Sequence, residues 1–187
     1  EEENPILSED DKIYDDFKKF LVNFFEKKLP EWIIELIRKH FNNDKNKIAI
    51  FMTHAIHGTN GLKNLVAEQP ETDPYRSRGL VQITTEENYR LLGEKYHKNP
   101  DLLAELTEDA VKDSLNFYSN FINEEDHDNF YGSLYYLNPQ EVQNDNYKQE
   151  EYGQKLSKRE EIYLWVCDVL GVEPNWGEFR TYNTLNV

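Results

Sequence analysis

From Lys45 to about His57 the chain carries Ile48, Ala49, Phe51, Met52 and Ala55 at spacings that predict a largely buried helix. Gly58, with Gly61 shortly after, ends it. A helix buried on most sides needs amphipathic partners to cover it. Upstream, Ile13, Phe17, Phe20, Leu21 and Phe24 recur at helical spacing over residues 11–28, with Ser8 ahead of Asp10 and Asp11 as the cap. Pro30 suits the first turn of a second helix carrying Trp32, Ile33, Leu36 and Ile37. Asn42-Asn43-Asp44 reads as a turn.

Downstream, residues 62–83 hold Pro70, Pro74 and Gly79 and read as irregular, with short strands at most. Thr84 or Thr85 caps a helix through Asn88, Tyr89, Leu91 and Leu92. Thr107 and Asp109 open another, with Val111, Leu115, Tyr118 and Phe121 on one face. Residues 123–129 read as an acidic solvated loop, 130–137 as a short aromatic stretch closed by Asn138-Pro139, and 141–154 as a polar loop. Ser157 is expected to cap a last helix with Ile162, Trp165, Val166 and Val169, stopped by Gly171. Residues 1–10 are expected to be an acidic, frayed N-terminus, and 11–187 one domain.

The 187 residues suffice for a real core, and 13% aromatic content belongs to a chain that builds one. The 36 acids against 21 bases give a net charge of −15, which repels nucleic acid, anionic membranes and anionic wall polymers. A neutral or cationic partner is easier to accommodate. No run of about eighteen apolar residues exists, so no membrane insertion is expected. Cys167 is the only cysteine and reads as a buried thiol. The histidines His40, His97 and His127 lack metal-ligand spacing, so neither a metal nor a cofactor is expected.

Three blocks in fixed register carry the chemistry: Ile56-His57-Gly58-Thr59-Asn60-Gly61-Leu62, then Val66-Ala67-Glu68-Gln69, then Tyr75 through Thr84 (Tyr-Arg-Ser-Arg-Gly-Leu-Val-Gln-Ile-Thr) followed by Asn88-Tyr89. They resemble glycoside hydrolase family 19, the inverting chitinases, with their H-E-T-G-G-F/L helix end, second glutamate and Y-x-G-R-G-x-x-Q-L-[ST]-x-x-x-N-Y strip. Weaker echoes lie at Phe130-Tyr131-Gly132 through Leu137-Asn138, and from Arg159 through Cys167 to Val172. The likeness covers roughly residues 45–175. It implies a mainly α, lysozyme-like (α+β) fold with little strand, and two helical lobes around a sugar cleft.

Inverting hydrolysis needs a protonated carboxyl on the leaving oxygen and an ionised one activating water on the opposite face. The resemblance places the acid at Gly58. No Asp or Glu lies between Asp44 and Glu68, so no slip of register restores it. The resemblance further implies Glu68 as the base, Thr84 as the residue that positions water, and Gln82, Asn88 and Asn138 as sugar-binding groups. His57 sits beside the acid position, and Arg159 matches an arginine that tunes the glutamates. Asn60 and Ser77 stand where the family has glycines. Losing the acid costs about 10²–10⁴-fold in rate, which leaves sugar contacts untouched.

The expectation is a monomeric chitinase-like protein that binds chitin or N-acetylglucosamine oligomers with impaired catalysis, secreted or associated with a cell wall. A cytoplasmic location is the alternative for a chain with one cysteine. Two other functions compete: an active inverting endochitinase or wall-polysaccharide hydrolase using Glu68, with His57 as the first candidate for a substitute acid, and a structural or partner-binding protein that keeps only the fold.

Overall fold

The computed structural model describes residues 7–68, 72–142 and 145–179. The extreme acidic N-terminus, Gln69-Pro70 and the last eight residues of the tail lie outside the described residues.

Helix α1 (Glu9–Phe25) starts where Ser8 Oγ accepts the Asp11 amide at 3.1 Å, as the sequence predicts. Its acidic first turn is held down: Asp10 accepts from Asn43 and Lys45 at 2.7 and 2.6 Å, and Arg38 reaches Asp11 at 3.0 Å. Helix α2 (Glu31–His40) has Pro30 as its N-cap. Asp44 caps α3 (Lys45–Gly58), accepting the amides of Asn46 and Lys47. Every residue from Ile48 to Ile56 is buried, so α3 is the axle of the larger lobe.

Then follow α4 (Glu86–Leu92), α5 (Glu94–Lys98), α6 (Glu108–Phe121), α7 (Phe130–Leu137), α8 (Pro139–Val142) and α9 (Glu150–Leu170). The long α9 packs along α3, with α1 against α9 and α7 against α3. Their shared core joins Leu21, Ile33, Phe51, Phe130, Tyr163 and Val166. A separate small core of Ile83, Tyr89, Tyr96 and Leu103 forms the second lobe. The fold is mainly α, with isolated bridges Val66–Arg78 and Arg78–Ile83 as the strand content of the described residues.

Several local expectations are corrected. Residues 141–154 are not a solvated loop: Glu141 and Val142 are buried in α8, and α9 begins at Glu150 rather than at Ser157. Glu150 and Glu151 complement the helix N-terminus, and Glu151 pairs with Lys155 at 3.2 Å one turn on, which carries the helix back past Ser157. The aromatic stretch 130–137 is a helix, capped by Asn129 Oδ1 on the Gly132 amide at 2.7 Å. Within 123–129, Asp126 is fully buried. Phe24 and Phe121, placed on apolar faces by periodicity, are 60% and 40% exposed, because each lies in the last turn of its helix at the edge of the core.

Candidate functional site

Helix α3 ends in a turn that only particular residues can make. Thr59 Oγ1 donates to the Ala55 carbonyl at 2.6 Å and accepts the Leu62 amide at 2.8 Å. Asn60 and Gly61 have φ of 49° and 77°. Asparagine tolerates this left-handed conformation, so Asn60 replaces a glycine without breaking the turn. At Gly61 a Cβ would come within 2.9 Å of the Phe25 ring, so no side chain fits. The turn leaves Gly58 exposed at the end of the buried helix.

Opposite lie residues 65–68 and 72–84. The Ala67 amide donates to Ser77 O at 2.9 Å, the Gly79 amide to Leu65 O at 2.8 Å, and Arg78 and Ile83 exchange both backbone bonds. Arg78 is buried beneath the strip: Nη1 donates to Pro74 O at 2.8 Å and to the Tyr89 hydroxyl at 3.1 Å, and Nε to Asp101 at 3.2 Å. Tyr89 in turn donates to Arg76 O at 2.7 Å. Arg78 is therefore architectural, and so is Gly79, whose φ is +79° and whose Cβ would meet Leu103 O at 2.9 Å.

Gln82 links the two pieces. A Cβ built on Gly58 would stand 3.4 Å from Gln82 Cγ. The Gln82 side-chain amide donates to Gly79 O at 2.9 Å and to Leu65 O at 3.4 Å, which pins it to the strip. Thr84 Oγ1 donates to Gln82 O at 3.1 Å, and Asn88 Nδ2 donates to Thr84 O at 2.9 Å. Ser77 and Thr84 share a hydroxyl–hydroxyl hydrogen bond. Because the Thr84 proton is committed to Gln82 O, Ser77 is the donor, and Thr84 keeps one lone pair free. Glu68 follows Ala67 and is exposed, while Gln82, Thr84 and Asn88 are half-buried.

The remaining expected residues meet behind Gly58. Arg159 is no surface arginine but 2% exposed, donating to Glu141 through Nε and Nη2 at 3.2 and 2.8 Å. Its Nη1 donates to His54 Nδ1 at 3.0 Å. Arginine has no acceptor, so His54 must carry its proton on Nε2, which donates to Ser133 Oγ at 2.7 Å; Ser133 passes its own proton to Phe130 O at 2.8 Å. Burial and then the Arg159 charge hold His54 well below 6.5. His57 shares both causes in the same order and is pushed down to about 3. Its Nδ1 is buried without a hydrogen-bond partner. Asn138 caps the end of α7, and its carbonyl accepts the Glu141 amide at 3.1 Å.

The structure thus joins Arg159, Glu141, His54 and Ser133 in one buried group, which Asn138 meets through the Glu141 amide, and Ser77, Gln82, Thr84 and Asn88 in a second, whose Gln82 stands beside Gly58. Glu68 is tied to this second group through the backbone of Ala67. Sequence reasoning missed Glu141 and Ser133. Nothing in a polar run around Asn138-Pro139 marks Glu141 as buried; its pairing emerges only when α8 meets α9. Burial and the Arg159 charge disfavour protonated His57, which counts against it as a substitute acid.

No protein-family profile matches the sequence. Spore wall protein 25 of Nosema bombycis is 31% identical over 140 residues, which is 70% of this chain and 51% of that protein. The chain therefore spans about half the length of the curated relative it matches. Among solved structures, a class IV family 19 chitinase from Zea mays aligns with a TM-score of 0.69 at 18% identity, over 86% of this chain and 94% of the other. A bacterial family 19 chitinase gives 0.65 at 19% identity, over 86% and 97%. Chitinase C from Streptomyces griseus gives 0.59 at 16% identity, over 93% and 74%. The chain has the mainly helical, lysozyme-like fold of the family 19 chitinases.

Proposed function

We propose that this protein binds chitin or N-acetylglucosamine oligomers in its cleft and does not cleave them. The observation that carries the reading is Gly58. It occupies the exposed end of α3, the position at which the family resemblance implies a proton donor, and burial and the Arg159 charge hold the neighbouring imidazole toward its neutral form. Gln82, whose Cγ lies 3.4 Å from where a Gly58 Cβ would stand, supports the reading, and with it Asn88 and Asn138 are the groups proposed to recognise hydroxyls and acetamido groups. In this reading Glu68 supplies the base and no group supplies a proton to the leaving oxygen.

A place in a wall accords with the name of the spore wall relative, and a wall polymer of neutral sugars accords with the net charge of −15. Secretion to such a wall and action as a monomer complete the reading.

Calorimetric titration with an N-acetylglucosamine hexamer tests it. A saturating heat with no continuing signal is expected. Sustained heat flow would mean turnover and overturn the loss of catalysis. Absence of heat would remove the sugar.

A further inference from the structure

Helices α4 and α6 pack against each other and leave an apolar groove of about 310 Å³ between them. Leu91 and Leu92 form one wall, Phe117 and Phe121 the other, and Asp113 and Asn116 also line it. Leu92 and Phe117 are backed by the small core of Ile83, Tyr89, Tyr96 and Leu103. Leu91 and Phe121 have no such use: they are 72% and 40% exposed, and the Phe121 ring stacks on Phe117 at 5.4 Å. Leu91 is the most exposed large apolar side chain among the described residues.

The charge around this groove is one-sided. Residues 84–129 hold twelve acids against four bases. All four bases are already committed: Arg90 pairs with Glu86, Lys95 with Asp113, Lys98 with Glu94 and Lys112 with Glu108. Glu87, Asp109, Glu124 and Glu125 are exposed and form no ion pair among the described residues. Glu87 stands one turn before Leu91 on α4, and Asp109 one turn before Asp113 on α6, so each continues a line of side chains that faces the groove. Glu124 and Glu125 follow the last turn of α6, which carries no basic residue to offset the negative helix end.

An exposed apolar groove with a charged rim marks an interaction site. The anionic rim repels anionic lipid, and the net charge of −15 repels a second copy of the chain. Two helical walls present side chains at three- and four-residue spacing, the geometry that receives a third helix. We propose that the α4–α6 groove docks a basic amphipathic helix of a protein partner, its apolar anchors between Leu91 and Phe121 and its lysines or arginines against Glu87, Asp109, Glu124 and Glu125. No groove residue belongs to the set assigned to sugar, so this surface is independent of the cleft reading.

The probe is a capped, fluorescent peptide of leucine and lysine, as long as α6 and with its leucines on one helical face, titrated into the full chain. Its anisotropy should saturate at one peptide per chain. Leu91→Ala should weaken binding by about 5–20-fold, whereas Leu164→Ala, at a side chain 49% exposed on α9, should leave it unchanged. Glu87→Gln/Asp109→Asn should weaken it by about threefold at low salt and reduce its salt dependence. Wild-type affinity in Leu91→Ala, or equal binding of a peptide of the same composition with its leucines scattered round the helix, would mean charge attraction alone and overturn the groove. Absence of binding would overturn it as well. Wild-type dimers in light scattering that Leu91→Ala abolishes would give the groove to a second copy and overturn the partner.

Discussion

Gly58 faces Gln82 with room between them: a Cβ on the glycine would make only an ordinary contact, 3.4 Å from Gln82 Cγ. The backbone there is ordinary helix, so the position accepts a side chain without strain. A carboxyl introduced at the C-terminal end of α3 would also be held toward its protonated form by the helix dipole. Gly58→Glu is therefore expected to create chitin-oligomer hydrolysis about 10²–10⁴-fold above the parent chain. Reducing-end release from the hexamer measures it, and loss of that gain in Gly58→Glu/Glu68→Gln assigns the base.

Ser77 limits how far that repair can go. Its hydroxyl occupies one acceptor site of Thr84, whose own proton is committed to Gln82 O. Water at Thr84 finds a single lone pair and no donor. Ser77→Ala keeps the backbone bond from Ala67 and vacates the hydroxyl. Added to Gly58→Glu, it should raise the rate roughly tenfold further, within the range expected for better positioning of a reacting group. An unchanged rate would mean that Thr84 does not hold the water.

Much of this was readable in advance, and for definite reasons. Ser8, Asp44 and Thr107 act on amides within three residues, so local sequence suffices to mark their helices. The strip from Tyr75 to Tyr89 is legible through its resemblance to the family 19 pattern, and the structure adds the short-range backbone pairing of Arg78 with Ile83. Glu141 and His54 are different. Each meaning depends on Arg159, which stands 18 residues from one and 105 from the other. The early start of α9 was hidden by a polar sequence whose helix is supported by pairs on its exposed face and by packing along α3.

The Glu141–Arg159 pair should behave as a buried ion pair whose members cannot be removed singly. Glu141→Ala leaves a guanidinium that is 2% exposed without its carboxylate, a loss of about 3–5 kcal/mol. For a chain of this size that lowers the melting temperature by roughly 10 °C or more. Glu141→Leu/Arg159→Met should lose less than either single change, because it leaves no stranded charge. Thermal unfolding of the three variants decides this, and additive losses would count against the pairing.

Stability should fall on mild acidification, before the carboxylates titrate. The pKa of His57 drops from 6.5 unfolded to about 3 folded, and that of His54 also lies well below 6.5. Between those limits the unfolded chain binds more protons than the folded one, so stability rises with pH and is lost as pH falls below about 6.5. Each such histidine contributes at most about 1.4 kcal/mol per pH unit. The acids with resolved shifts on the α1 and α4 surfaces, Asp10, Asp11 and Glu86, are held below their ordinary values and act only at lower pH. Urea unfolding at pH 7, 6, 5 and 4.5 should therefore show a falling free energy already between 6.5 and 5. His57→Gln should flatten part of that slope, leaving the shares due to His54 and His40, which burial also holds below 6.5. A curve flat down to pH 5 would mean that these imidazoles accept protons in the folded state, and the case against His57 as an acid would fall with it.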